Sequence, residues 1–339
     1  EFSDSMQGEG AVQGYRTFYG TLLSSFFSLL SGASIGPEGS LAYLVRGIAS
    51  WFREKLAVPE ESALGFDVAA LASAYNGILG SPLFTAVFAT EFRIGDKQAM
   101  RFLAWNLIAG VIGFLFYTML GLLSFARFLS FPSPGTITPA YVLIAAVLGV
   151  LGACMAVLMG LAMTGVGNVM EQVFGDRVLI RIFCAGVIIA GVCFFIPDLM
   201  FSGETSIHGI IREPAGAGIL MLLLMAVVKV LLLALSFKSG YLGGPIFPVV
   251  FSCTMVGLAL GLLFPGVPTG IFVLCIIAAV VTVALGVPLT AILLVAVMGA
   301  ADQTMTVLLV ISSAVALLIG IAVRERQAGR PAGTAAPSA

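Results

Sequence analysis

Charge is what this sequence has least of. Only 10% of its 339 residues are Asp, Glu, Lys or Arg, where an ordinary soluble domain has about a quarter. A soluble globular fold is excluded on that ground. The formal net charge is −1 and no basic run exists, so nothing offers a surface to nucleic acid. There is a single histidine, His208, in a polar connection, and HExxH does not occur, which leaves an intramembrane hydrolase without its machinery. The five cysteines, Cys154, Cys184, Cys193, Cys253 and Cys275, lie inside apolar runs with no CxxC pair or metal spacing; they read as small buried hydrophobes, and no metal or cofactor is expected. Residues Glu1 to Ser5 show neither an initiator Met nor the basic-then-apolar pattern of a signal peptide. The chain therefore reads as a piece that has lost its first helices.

What fills the space is apolar: 60% of the residues, with a mean hydropathy of +1.11. A spanning helix takes about 20 apolar residues, so the length allows on the order of ten to fourteen spanning or partly spanning helices. An all-α polytopic membrane protein is expected, with the lipid bilayer as its surroundings. Residues 1–14 form a polar N-terminal segment. Residues 15–139 make a first half, closed by the Pro132-Ser-Pro-Gly turn, and 140–323 a second. Residues 324–339, with Arg324, Arg326 and Arg330, read as a disordered tail, placed in the cytoplasm by the positive-inside tendency. Long spans are expected at 105–123, 140–163, 178–196, 219–237 and 305–323. Between them lie short apolar segments broken by Gly and Pro, as at Asn76-Gly77 and Gly80-Ser81-Pro82, the mark of broken helices around a midplane site. The longest polar connection, 197–217, reads as a surface loop carrying Glu204 and His208.

Two Gly/Pro knots stand out. The first is Ser34-Ile35-Gly36-Pro37-Glu38-Gly39-Ser40. Pro is tolerated in the first turn of a helix, so Gly36-Pro37 ends one helix and opens another, and Glu38 falls at the new N-terminus. A carboxylate inside a membrane costs roughly 2.5–3.5 kcal/mol on insertion scales and is a functional candidate by default. Free N–H groups and about half a positive charge collect at that end, so the spot that steadies a carboxylate can also hold a free anion. The second knot, Ser239-Gly240-Tyr241-Leu242-Gly243-Gly244-Pro245-Ile246-Phe247-Pro248, repeats the logic of glycines, a proline and a helix start. Lys229, within the preceding span, is expected to snorkel to the interface or pair with a polar group.

With both knots in view the chain resembles the CLC family of chloride channels and chloride/proton exchangers. Gly36-Pro37-Glu38-Gly39-Ser40 is similar to the family's G-x-E-G-P, and the second knot to its S-G-x-x-G-G-x-F-x-P. Pro82 followed nine residues later by Glu91, and Lys229 fourteen residues before Gly243, add support over roughly residues 15–323. The resemblance implies an inverted-repeat bundle with broken helices, a homodimer with one anion path per subunit, and residence in the cell's inner (plasma) membrane. It implies that chloride or a similar small anion is transported through a pore gated by Glu38, with Gly36, Gly39, Ser40, Gly244, Ile246 and Phe247 around the anion.

Departures from the pattern bear on mechanism. Pro245 has no N–H to donate, Ile246 stands where the pattern has Phe, and Ser40 replaces a Pro. The family's early G-S-G-x-P would fall at or before residue 1, and no Tyr follows Tyr241, so the inner gate is incomplete. Exchangers commonly carry a second Glu directly after the position of Glu91; here it is Phe92, which cannot relay a proton and favours a channel or an uncoupled transporter. A proton-coupled antiporter stays open as an alternative, as does a non-conducting fragment or structural subunit.

Overall fold

The computed structural model describes residues 18–92, 99–122 and 124–328, and among them it builds fourteen helices and no strand. The first half holds α1 (Phe18–Leu30), α2 (Pro37–Lys55), α3 (Glu60–Leu79), α4 (Phe84–Phe92) and α5 (Ala99–Met119). The second holds α6 (Pro139–Phe174), α7 (Val178–Phe195), α8 (Glu204–Arg212), α9 (Pro214–Ala217), α10 (Ile219–Ser239), α11 (Ile246–Leu263), α12 (Thr269–Leu285), α13 (Pro288–Gly299) and α14 (Gln303–Ala328). Five of them, α6, α7, α10, α11 and α14, are long and apolar enough to cross a membrane. The expected N-terminal segment 1–14 and the charged turn at 93–98 lie outside the described residues.

α12 is the centre. Every residue from Gly270 to Thr282 is buried, which an amphipathic surface helix could not be; a helix apolar all round must be surrounded on all sides. α6, α11, α13 and α14 provide that surround. Small residues bring the helices close: Gly152 of α6 faces Ala279, and Gly257 of α11 lies against the Val273 backbone, the close approach that packing in lipid rewards. α6, at 36 residues, is about 54 Å long at 1.5 Å per residue, far more than a hydrocarbon core of roughly 30 Å, so it crosses tilted or projects.

Several expectations about boundaries change. The polar turn expected at Glu171 is still helix, because the helix continues to Phe174 and ends only where Gly175 adopts positive φ. The segment 197–217 is no plain loop: it folds into a 3-10 turn (Pro197–Leu199), α8 and α9, with Ile207 and Ile210 turned into the core. α14 runs past the expected limit at 323 to Ala328, with Arg324 donating to the Val283 carbonyl at 3.1 Å; residues 329–339 lie outside the described residues. Cys193, Cys253 and Cys275 are buried, but Cys154 is exposed on α6.

Nor does Asn76-Gly77 break the chain. α3 continues to Leu79 and closes on Gly80, at φ 66°. Asn76, fully buried, uses its side chain to lock the turn that follows: Nδ2 donates to the Pro82 carbonyl at 2.8 Å, and Oδ1 accepts from the Thr85 N–H and hydroxyl, both at 3.0 Å. An internal repeat appears at this elbow. Gly286, at φ 75°, closes α12 as Gly80 closes α3, and both are followed by x-Pro-Leu and a short helix. The two short helices, α4 and α13, pack together. Asn76→Ala strips three hydrogen bonds from a dry site and is expected to cost about 2–4 kcal/mol, read as a lowered unfolding midpoint of the detergent-solubilised protein; an unchanged midpoint would show that the elbow holds without it.

Candidate functional site

The two knots meet. Gly36 N–H donates to the Gly244 carbonyl and Gly244 N–H to the Gly36 carbonyl, each at 2.7 Å, the one antiparallel bridge among the described residues. Side chains extend the seam: Ser40 Oγ donates to the Leu242 carbonyl at 3.3 Å, Leu242 N–H to Ser28 Oγ at 3.1 Å, and Ser34 N–H to Ser236 Oγ at 3.1 Å. The pairing brings together the N-termini of α2 and α11, and with them the positive ends of both helices.

Glu38 lies at this junction, 3% exposed. Its Oε1 accepts from the Ile246 N–H at 2.6 Å. Glycine is required around it. A Cβ at Gly36 would lie 1.9 Å from Glu38 Oε2, and one at Gly244 2.3 Å from Cδ. Gly39 faces the other knot, where a Cβ would lie 2.2 Å from the Gly243 carbonyl oxygen. Glu38, Gly36, Gly39, Ser40, Gly244, Ile246 and Phe247 are thus brought to one place. The Ser40 hydroxyl is turned to the Leu242 backbone.

A cavity of about 390 Å³ adjoins the carboxylate, bounded by both knots and by Tyr43, Tyr75, Phe84, Phe88 and Phe237. Tyr75 was not marked by its sequence context. Its hydroxyl donates to the Glu38 carbonyl at 2.5 Å and ties α2 to α3. A buried tyrosine inside an apolar segment must find a partner for its O–H, and that is the signal that could have found it. On another side Phe247 packs against Phe125 and Phe128, ring centres at 4.1 and 6.0 Å, and the exposed His208 sets its ring on Phe128 at 4.8 Å.

Two further charged residues have defined places. Lys229 does not snorkel. It is fully buried, and its Nζ donates to the Leu199 and Phe201 carbonyls at 2.9 and 2.6 Å, 5.1 Å from the centre of the Phe251 ring. Backbone dipoles and an aromatic face stand in for water, because a bare ammonium in that setting would cost several kcal/mol. Glu91 caps α13, accepting from the Leu289 and Thr290 N–H groups at 2.7 Å each and from the Thr290 hydroxyl at 2.5 Å. It joins the short helices of the two halves.

Fold and site define a multi-pass helical membrane protein in which two half-helices seat a buried carboxylate on their backbone amides. The family model described as Voltage gated chloride channel matches residues 1–320, and the chain belongs to that family. Among curated relatives, the protein named Putative ion-transport protein YfeO of Salmonella newport (strain SL254) is 28% identical over 269 residues, which is 78% of this chain and 64% of that protein. The chain thus spans somewhat under two thirds of that relative's length. Of the solved structures it is similar to, a CLC-type fluoride/proton antiporter superposes with a TM-score of 0.77 at 20% identity, over 94% of this chain and 78% of that one. A slow cyanobacterial Cl−/H+ antiporter gives 0.77 at 20%, over 91% and 73%. At that identity the likeness speaks for the fold.

The contact at Gly39 yields a stability test. Gly39→Ala presses a methyl group into a backbone carbonyl that cannot rotate away, and is expected to cost about 2–4 kcal/mol. Gly266→Ala, where nothing lies within 4 Å, serves as the neutral control. Thermal unfolding in detergent reads both, and equal midpoints would mean that the knots do not touch as described.

Proposed function

We propose that the chain forms a membrane path for chloride or a similar small anion, gated by Glu38. The observation that carries this reading is the Glu38 carboxylate held on the Ile246 N–H between Gly36 and Gly244. A seat that holds a carboxylate through backbone amides suits a small anion by the same chemistry, so the side chain and the transported ion compete for it. Gly36, Gly39, Ser40, Gly244, Ile246 and Phe247 line the seat in this reading. Protonation removes the charge that keeps the side chain there and frees the place for an anion. The protein then resides in the cell's inner membrane with the C-terminal end in the cytoplasm, working as a pair of identical subunits.

A proton-coupled antiporter is the second reading, favoured by the two antiporter structures to which the fold is similar. Against coupling by an internal relay stands Phe92, directly after Glu91. The share of the relatives' length that this chain spans keeps a third in view, a piece that needs further segments to conduct.

Chloride efflux from liposomes with simultaneous proton recording separates them. Efflux through the parent chain is expected to rise on acidification. Glu38→Gln is expected to be several-fold faster at neutral pH and to lose that dependence. A mutant that keeps the parent's rate and profile sinks the gate. Stoichiometric proton movement selects the antiporter, and no efflux from either protein selects the incomplete piece.

A further inference from the structure

The segment 197–217 places a second carboxylate beside the gate. Glu204 is the first residue of α8, which packs along α11, the helix whose first amide binds Glu38. Three contacts fix that placement. The preceding Gly203, at φ 86°, is pressed so closely onto Phe251 that a Cβ there would lie 2.4 Å from the ring. The turn before it is clamped by Lys229 through the Leu199 and Phe201 carbonyls. One turn along α8, His208 rests on Phe128, which in turn touches Phe247.

Glu204 is half-buried, and its Oε2 is buried with no hydrogen-bond partner, as is Oε2 of Glu38. From the start of α8, which packs against α11, Glu204 lies within electrostatic reach of Glu38. The elements around it carry charges of both signs, Arg127 in the turn beside Phe128 among them. α11 carries no charged residue and α9 none; the 3-10 turn brings Asp198, and α8 itself His208 and Arg212. The nearby cation, Lys229, makes its hydrogen bonds to the Leu199 and Phe201 carbonyls and none to Glu204.

We propose that Glu204 is a specificity- and rate-determining residue of the anion seat, a fixed negative charge that repels whatever anion occupies the place of the Glu38 carboxylate and so keeps it weakly bound. It touches neither the anion nor Glu38. The inference rests on the reading of that place as an anion seat. Conduction requires an ion to leave as readily as it enters, and a seat built of two helix ends in a dry setting errs toward holding too tightly. A carboxylate at a distance corrects this without occupying the seat.

The test is isothermal titration of chloride into the purified, detergent-solubilised protein at neutral pH. Four chains are compared: the parent, Glu38→Gln, Glu38→Gln/Glu204→Gln and Glu38→Gln/Glu204→Asp. Glu38→Gln vacates the seat and is expected to bind chloride more tightly than the parent. Removing the second charge as well is expected to tighten binding a further three- to tenfold or so, the scale of a charge pair at an effective dielectric of about 20, partly screened. Glu204→Asp keeps the charge and should stay near Glu38→Gln. A structural defect would loosen binding instead. Equal or weaker binding in the Glu204→Gln double variant overturns the role of Glu204 alone, and so does equal tightening by Glu204→Asp. Chloride that binds Glu38→Gln no more tightly than the parent counts against the seat itself.

Discussion

Two hydrogen bonds between Gly36 and Gly244 are the joint on which the rest depends. Each half alone ends a helix inside a membrane, leaving N–H groups that lipid cannot satisfy. Paired, the knots satisfy two of those groups mutually and direct another, from Ile246, at the Glu38 carboxylate. The pairing leaves no room for a side chain at Gly39, whose Cβ would meet the facing backbone, and with the Glu38 carboxylate seated there is none at Gly36 or Gly244 either. The glycines are therefore a steric condition for bringing two positive helix ends together.

The buried cation Lys229 makes no hydrogen bond at this point. Lys229 is as buried as any residue in the molecule, yet its ammonium is turned to carbonyls of the 197–201 turn. A buried ammonium beside the seat would bind an anion strongly and lastingly. Turned aside, it holds α8 in place. Glu91 does comparable work between the halves: an acidic side chain at the end of α4 meets the N-terminus of α13, a favourable use of a carboxylate near a helix start.

Much of this was legible in the residues. Apolar runs bounded by Gly and Pro located most helices, and the Gly-Pro-Glu-Gly stretch pointed to a carboxylate on a helix end, because local rules govern both. The rest depends on partners far along the chain. Asn76 reads as a helix breaker until Pro82 and Thr85 receive its side chain. Residues 197–217 read as surface because their polarity is high; Ile207 and Ile210, four and seven residues on from Gly203, were too few to outweigh it, yet they suffice to seat a nine-residue helix. The importance of Tyr75 comes from a carbonyl 37 residues away, and that of Glu204 from a helix that starts 42 residues later. Even the repeat at Gly80-Ser-Pro-Leu and Gly286-Val-Pro-Leu becomes persuasive only when α4 and α13 are seen side by side.

Taken as an anion seat, the junction has two features that act in one direction. Pro245, at the cap of α11, has no N–H, so the first donor of that helix is Ile246. Glu204 adds a repelling charge from α8. Each weakens the hold on an ion, one by withholding a hydrogen bond and the other by a through-space field. Both follow from the same constraint. A site that must bind an ion stripped of water and then release it cannot use all the donors that two helix ends could provide, and an acidic side chain that competes for the seat can be displaced only if the seat binds it modestly too.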